Sequence, residues 1–304
     1  MAKLRKSINR WALCVAGLAF AAASGQPAFP ATYDYGNDKA SIMDLRVKDP
    51  DSLTEEERAI LQAANRTGFV HIPACRMGSN AFLVRIDGRD AILTSGHMVV
   101  DENTSQIKNG CGPRDLETAV YHPNLSYLDL RDGRPRPTPD DPIMRAVRVE
   151  PGVLNLDALV GDFERRKDWV GFFLSEQISQ QPSLDGTLRG YLKFTADGRG
   201  EGEGYLIGFD PAFDQANGGR SASWQKCETY VTSFVLHTCD TGPGTSSSLL
   251  ASLQFNEIRF VGMNVSGEVG SGGHVPESRL AWNIGVSGDT IADQLPEGMA
   301  FGHE

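Results

Sequence analysis

The chain has 304 residues, of which 40% are hydrophobic and 22% charged, with 29 Lys and Arg against 39 Asp and Glu for a net charge of −10. An acidic surface repels phosphate backbones, so this balance argues against nucleic-acid binding. The length and the hydrophobic fraction suit one large domain or two small ones, each with a packed core.

The N-terminus has the pattern of an export signal. Its first ten residues include four basic side chains and no acid, and an apolar stretch and a run of small residues follow up to Gly25. This order is typical of a cleaved signal peptide, and about 13 apolar residues are too few for a membrane span, which needs ~20. We therefore predict that residues 1–25 are removed, that the mature chain has no membrane span, and that it is secreted or periplasmic.

Four cysteines remain after residue 25: Cys75, Cys111, Cys227 and Cys239. An even count in an exported protein predicts two disulfides. Three pairings exist, and proximity along the chain favours Cys75–Cys111 and Cys227–Cys239. A zinc site is the rival interpretation, but no C-x-x-C pair or close His partner supports it, so no metal is predicted.

The segment 26–66 precedes the regular part of the chain and is either a removable propeptide or a permanent extension. Within it, Thr54–Ala64 (TEEERAILQAA) predicts a helix, because Thr54 can cap the first turn and Glu57 stands at the capping-box position.

Short β-type runs separated by turn residues begin at Thr67, and they predict an all-β barrel or sandwich. A closing helix is predicted at Ser287–Leu295. The predicted strands are Phe69–Ile72, Ala81–Ile86, Ala91–Leu93, Ala146–Val149, Trp169–Leu174, Tyr205–Phe209, Thr229–Leu236, Ile258–Val265 and Leu280–Val286.

Two local motifs carry candidate chemistry. In Ala91–Val100 (AILTSGHMVV), a β run leads into a small-residue turn that presents His97. In His237–Leu250 (HTCDTGPGTSSSLL), glycines precede a run of hydroxyl residues. A serine needs a base to take its proton, and the oxyanion that forms needs backbone N–H donors. Gly244-Thr245-Ser246 offers both a candidate nucleophile and a backbone free to turn its N–H groups inward.

Together these motifs resemble the bacterial glutamyl-endopeptidase branch of the trypsin-like serine proteases. Ala91–Val100 is similar to the family's L-T-A-A-H run, and Cys239–Leu249 to its D-T-x-x-G-x-S-G-S-P run. The resemblance extends over roughly residues 67–295 and implies a chymotrypsin-like fold of two antiparallel six-stranded β-barrels with a C-terminal helix. It assigns the general base to His97, the nucleophile to Ser246, and the oxyanion hole to the N–H groups of Gly244 and Ser246.

As the third member of the triad, the resemblance implies an Asp at the start of a β run between the other two. Lys167–Leu174 (KDWVGFFL) fits the family's D-W-A pattern best and nominates Asp168, with Asp157 in Asn155–Val160 (NLDALV) as the alternative. Its role is to hold the imidazole tautomer and stabilise the imidazolium.

The chain departs from the family pattern next to the nucleophile. Ser247 and Leu249 stand where the family has Gly and Pro, and Ser247 is expected to adopt a backbone conformation that usually requires Gly. Relief of that strain predicts that Ser247→Gly preserves or raises activity. The candidate specificity-pocket residues are Asp240, Thr241 and Asn264, where glutamyl-specific members carry His in place of Asn264.

The function expected from these residues is an exported serine endopeptidase that needs no cofactor and acts on a peptide or protein substrate. The alternative is a catalytically silent homologue that binds peptides or partners through the same cleft. The expected domains are a first barrel over 67–180, which carries the His and the Asp, and a second over 181–304, which carries the Ser and the helix.

Overall fold

A computed structural model describes residues 39–129, 137–195, 202–210, 222–241, 244–266 and 282–302. The predicted signal peptide lies outside these residues. The first described elements are strand β1 (Ala40–Ser41) and the helices α1 (Ile42–Arg46) and α2 (Glu55–Ala64). The predicted capping box of α2 is confirmed, since the Thr54 side chain accepts from Glu57 N–H and the Glu57 side chain accepts from Thr54 N–H.

The first half of the chain forms a curled antiparallel sheet of six strands in the order β6-β5-β2-β3-β4-β7. A single bridge between Val149 and Leu174, just beyond the ends of β6 and β7, brings the two edges of this sheet together. Two short helices, α3 (Pro113–Leu116) and α4 (Leu156–Leu159), lie in its connections. The strands are β2 (Thr67–Ile72), β3 (Met77–Ile86), β4 (Arg89–Thr94), β5 (Val120–His122), β6 (Val147–Arg148) and β7 (Val170–Phe173).

The second half forms a closed barrel, because its strands pair in a ring β8-β9-β10-β13-β12-β11 that returns to β8. Strand β1 pairs antiparallel with β9 and is not part of the ring. The C-terminal helix α5 (Gly288–Asp293) follows β13 directly, with Ser287 as its N-cap. The strands are β8 (Gly202–Phe209), β9 (Ala222–Val231), β10 (Phe234–His237), β11 (Leu249–Gln254), β12 (Glu257–Ser266) and β13 (Asn283–Ser287). The predicted all-β class with two antiparallel sheets and a closing helix is confirmed.

The largest apolar core lies between the two sheets and includes the helices that precede them. Ile42 of α1 and Ile60 of α2 are both fully buried, in one cluster with Phe82 of the first sheet and Tyr205 and Phe260 of the second. Burial of this much apolar surface stabilises the contact. The helices α1 and α2 of the extension are therefore packed against the core of the fold.

One predicted strand is wrong in its bounds. The run Thr229–Leu236 is a hairpin in which β9 ends at Val231 and β10 begins at Phe234. Thr232 N–H donates to the carbonyl of Phe234 at 2.7 Å, and the Thr232 hydroxyl accepts from Phe234 N–H at 3.2 Å. Because a β-branched residue closes this turn, the turn has the composition of a strand, and the sequence pattern did not indicate a break there. Strands β1, β5 and β11 were not predicted.

The predicted disulfides are confirmed. Cys75 joins Cys111, with 5.8 Å between their Cα atoms, and Cys227 joins Cys239, with 5.1 Å. The first bridge joins the turn between β2 and β3 to the connection between β4 and β5. The second joins β9 to the residues that follow β10. Among the helices that the structure describes, none is long and apolar enough to cross a membrane.

Candidate active site

His97 lies in a short turn immediately after β4. Ser95 precedes this turn, which spans Gly96–Met98. Gly96 allows a close approach here, since a Cβ at this position would lie 2.4 Å from Leu159 Cδ1 and 3.2 Å from Asp168 Oδ1. The sequence Ser-Gly-His thus places the imidazole directly against the chain that carries Asp168.

Asp168 holds His97 at two points. Its Oδ1 accepts from the His97 backbone N–H at 2.6 Å, and its Oδ2 lies 2.7 Å from Nδ1. The carboxylate is buried, whereas the His97 side chain keeps 17% of its surface exposed. Because Oδ2 accepts the Nδ1 proton, Nε2 is the free acceptor of the neutral ring. Asp157, the alternative, lies exposed on α4.

The charge of Asp168 governs the protonation of His97. Burial lowers the pKa of the imidazole, but the negative charge of Asp168 and its hydrogen bond raise that pKa by more, and the net shift is upward. Glu102 raises the pKa further and Lys108 opposes it. The pair therefore stabilises an imidazolium, which is the state of a base that has just accepted a proton.

Ser246 lies in the loop between β10 and β11 and is partly exposed. Asn80 Nδ2 donates to the carbonyls of Gly244 at 3.1 Å and Ser246 at 3.0 Å. Its Oδ1 accepts from Phe209 N–H at 2.7 Å. A single side chain of β3 thus fixes the backbone on both sides of Thr245.

Within the described residues, no hydrogen bond joins Ser246 Oγ to the imidazole. The hydroxyl in contact with His97 Nε2 is that of Ser95, at 3.5 Å. Ser247, the next residue along the loop, has a φ of +66°. The expectation that residue 247 occupies a Gly-type backbone conformation is confirmed.

Asn264 is 2% exposed and has both ends of its amide occupied. Its Nδ2 donates to the carbonyl of Thr245 at 3.1 Å, and its Oδ1 lies 3.1 Å from His237 Nε2. The Thr245 carbonyl and the Ser246 N–H belong to one peptide group, so the first bond also sets the direction of that N–H. Asn264 faces the interior of the loop, and its predicted place in the specificity pocket does not follow from this geometry.

Asp240 and Thr241 lie at the start of the same loop, with Asp240 partly exposed and Thr241 buried. The Asp240 carbonyl accepts from Gln225 Nε2 at 2.7 Å and from Lys39 Nζ at 3.0 Å. Lys39 also forms an ion pair with the buried Asp210. The backbone of Asp240 is therefore held by Gln225 of β9 and by Lys39.

Asn80, Gln225 and Lys39 hold the backbone of this candidate site and were not predicted from the sequence. Asn80 had a detectable signal, because a buried amide in the middle of an apolar strand (GSNAFLV) must find hydrogen-bond partners. Lys39 had none, since its partners are 171 and 201 residues away along the chain.

One group of metal-ligand type occurs in the described part of the chain. Cys227, His237 and Cys239 bring their ligand atoms within 4.8 Å of one another, so a His does lie close to this cysteine pair. Both sulfurs are joined in the disulfide. A metal binds thiolates rather than a disulfide, so the group is not a metal site in this form.

His237 makes the fold sensitive to acid. It is fully buried, its Nδ1 has no hydrogen-bond partner among the described residues, and burial lowers its pKa to about 4, against a small opposing effect of Asn264. The unfolded imidazole takes up a proton below about pH 6.5. Between these two pKa values the unfolded chain binds more protons, so we expect stability to fall as the pH falls from 6.5 to 4, by up to about 3 kcal/mol from this residue.

Urea unfolding at pH 7 and pH 4.5 tests this expectation. His237→Gln keeps a donor toward Asn264 and cannot titrate, so its loss of stability over this interval should be smaller than that of the wild type. His122, whose pKa burial also lowers to about 4, still titrates in both proteins and serves as a shared background. Equal losses in wild type and variant would contradict the assignment.

Comparisons with known proteins give fold neighbours only. No protein-family model and no curated protein sequence matches the chain. Among solved structures, a Glu endopeptidase in complex with MPD is 12% identical with a TM-score of 0.49 and covers 75% of this chain and 87% of its own.

Two further solved structures are similar to the chain to a comparable degree. The protease Anisep from Arthrobacter nicotinovorans is 11% identical, with a TM-score of 0.47, and covers 73% of this chain and 90% of its own. An inactivated protease paralogue from the scabies mite is 12% identical, with a TM-score of 0.46, and covers 77% and 94%. With its two six-stranded antiparallel units and a C-terminal helix, the chain fits the chymotrypsin fold.

Proposed function

We propose that this chain is an exported serine endopeptidase in which His97, Asp168 and Ser246 act as the catalytic triad. The observation that carries the proposal is the two-point contact between Asp168 and His97, in which a buried carboxylate binds both Nδ1 and the backbone N–H. A carboxylate in this position fixes the tautomer that a base needs. Two disulfides favour an oxidising compartment and thus support export.

The proposed reaction is acyl transfer. His97 Nε2 takes the proton of Ser246, whose Oγ forms a bond to the peptide carbonyl carbon while the carbonyl electron pair moves to oxygen. The backbone N–H groups of Gly244 and Ser246 stabilise that oxyanion. His97 then gives its proton to the leaving amine, and a water molecule releases the acyl group by the same steps.

The polar contacts of the loop support the proposed oxyanion hole. Asn264 Nδ2 and the Ser248 N–H both donate to the Thr245 carbonyl, each at 3.1 Å. These bonds hold the peptide whose other end is the Ser246 N–H, and a donor fixed in advance costs no reorganisation during the reaction. We propose Asp240 and Thr241 as residues of the specificity pocket, and Asn264 as a residue that holds the loop.

A catalytically silent peptide-binding protein is the second candidate. Two observations favour it: among the described residues, the hydroxyl in hydrogen-bond contact with His97 Nε2 is that of Ser95 and not that of Ser246, and a side chain occupies residue 247, whose φ is +66°. Catalytic hydrogen bonds are often loose without substrate and tighten in the complex. The contact between His97 and Asp168, which a binding protein has no need to keep, therefore favours the enzyme.

A fluorophosphonate probe separates these candidates, since it forms a covalent bond only with an activated serine. We expect the secreted chain to gain one label, which peptide mapping places on Ser246, and to cleave a broad peptide library. His97→Ala should abolish labelling although the nucleophile is intact. Ser252→Ala, a buried serine of β11 outside the site, is the matched control. An unlabelled chain that also cleaves no peptide would leave the silent binding protein as the function.

A further inference from the structure

A cluster of hydroxyl groups lies beneath the nucleophile loop, where the two sheets meet. Ser247 is at its centre and is 1% exposed. Its Oγ accepts from Ser95 N–H at 2.8 Å, and it lies 2.7 Å from Ser95 Oγ and 2.9 Å from Ser79 Oγ. Thr94 Oγ1 is 3.1 Å away. We call Ser79, Thr94, Ser95 and Ser247 the hydroxyl cluster.

The backbone alone does not favour a serine at this position. Ser247 has a φ of +66°, in the left-handed region where Gly is preferred and where a residue with a Cβ is strained. Its N–H donates to the Asn264 carbonyl at 2.7 Å, a bond that Gly would make equally well. The gain that offsets the strain must therefore come from the side chain.

The contacts of that side chain cross from one sheet to the other. Ser247 follows the proposed nucleophile, whereas Ser79 belongs to β3 and Ser95 lies two residues before His97. Ser79 Oγ also lies 3.2 Å from the Ser246 carbonyl oxygen. The distance between the loop of Ser246 and the turn of His97 is thus set by hydrogen bonds that converge on one hydroxyl oxygen.

The protons in the cluster can be assigned from its outer partners. The Thr94 hydroxyl donates to the Asn80 carbonyl at 2.8 Å, a shorter contact than the one it makes with Ser247. Ser247 Oγ therefore receives the Ser95 N–H and has its own proton for Ser95 Oγ. The Ser95 proton can then point toward His97 Nε2, the unprotonated nitrogen of the ring.

We propose that Ser247 is a positioning residue: its hydroxyl holds the nucleophile loop in register with the His97 turn. This inference rests on the proposed function, because it describes how Ser246 and His97 are kept aligned. It reverses the expectation that Gly at residue 247 preserves or raises activity. Gly would relieve the backbone but would also remove the bond that joins the two sheets at the site.

Two substitutions separate the side chain from the backbone. Ser247→Ala and Ser247→Gly both remove the hydroxyl, and only the second also relieves the strain. We expect both to lower kcat by about tenfold, the equivalent of one well-placed hydrogen bond, with little change in KM. The melting temperature of Ser247→Gly should be higher than that of Ser247→Ala, because only Gly relieves the backbone strain. A normal or raised kcat in Ser247→Gly, with the fold intact, would overturn the proposal.

A readout that does not depend on activity distinguishes this inference from the proposed function. The imidazole NMR signals of His97 should shift in Ser247→Gly and should stay unchanged in Ser252→Ala. If the wild type hydrolyses nothing but the His97 signals still shift, the positioning contact stands and the peptidase proposal fails. If the His97 signals are the same in Ser247→Gly and in the wild type, the positioning role is refuted.

The partner of Ser247 gives an independent check. Ser95→Ala removes the other hydroxyl of the 2.7 Å contact. Ser95→Ala also removes the hydroxyl that lies 3.5 Å from His97 Nε2, so it shifts the His97 signals by itself. If the two side chains act through their mutual contact, Ser95→Ala combined with Ser247→Ala should shift those signals by less than the sum of the two single substitutions. Additive effects of the two substitutions would show that the contact does not couple them and would count against the proposal.

Discussion

Ser246→Ala should reduce peptide hydrolysis by about 10⁶-fold, because loss of the nucleophile of a triad removes nearly all of its contribution. His97→Ala should cost about as much, and the two substitutions together little more than either alone, since the residues act as a unit. A residual rate about 10³–10⁴-fold above that in water would come from the oxyanion hole and from substrate binding. Initial rates with a peptide found in a library screen measure all three.

The neighbouring serines provide the controls for this experiment. Ser246, Ser247 and Ser248 are consecutive, and only the first is partly exposed, while the other two are 1% and 2% exposed. Ser247→Ala should retain about a tenth of the activity and Ser248→Ala more than that. If Ser246→Ala cleaved normally and one of the other two were inactive, the nucleophile would have been assigned to the wrong serine.

The fold was predictable because its signals are local. Short alternating runs between turn residues identify an antiparallel β protein, and the capping pattern at Thr54 fixed the start of α2 to the residue. The disulfides followed from proximity along the chain, since their partners have sequence separations of 36 and 12. Features without a local signal were missed: β1 has two residues, and the turn after Val231 has the composition of a strand.

The candidate site was predictable only where one motif carries one residue. His97 and Asp168 were found because each stands at a fixed place beside a β run, and the structure brings them together. The role of Asn80 depends on a contact across 166 residues and that of Ser247 on one across 152 residues. The role of Asn264 depends on the direction in which its amide faces. Neither property has a sequence period, so the sequence could not predict these contacts, and Ser247 was judged by its backbone alone.

The second large effect is expected at Asp168. Asp168→Asn should lower kcat by about 10⁴-fold, the usual cost when the triad carboxylate becomes an amide. The side-chain oxygen of Asn could still accept from the backbone N–H of His97, which lies 2.6 Å from Asp168 Oδ1 in the wild type. Its NH₂ group, however, faces Nδ1, which moves the ring proton to Nε2 and leaves no acceptor for the proton of Ser246.

The pH dependence of Asp168→Asn distinguishes this role from a purely structural one. Activity requires neutral His97, whose pKa in the wild type is raised by the charge and hydrogen bond of Asp168, although burial opposes them. Activity of the wild type should therefore fall as the pH drops through that raised value. Without the carboxylate the pKa of His97 decreases, so the residual activity of Asp168→Asn should persist to lower pH than that of the wild type.

Asp157→Asn, an exposed change on α4, is the control and should alter neither kcat nor the pH profile. A large loss in Asp157→Asn with normal activity in Asp168→Asn would reverse the assignment of the triad acid.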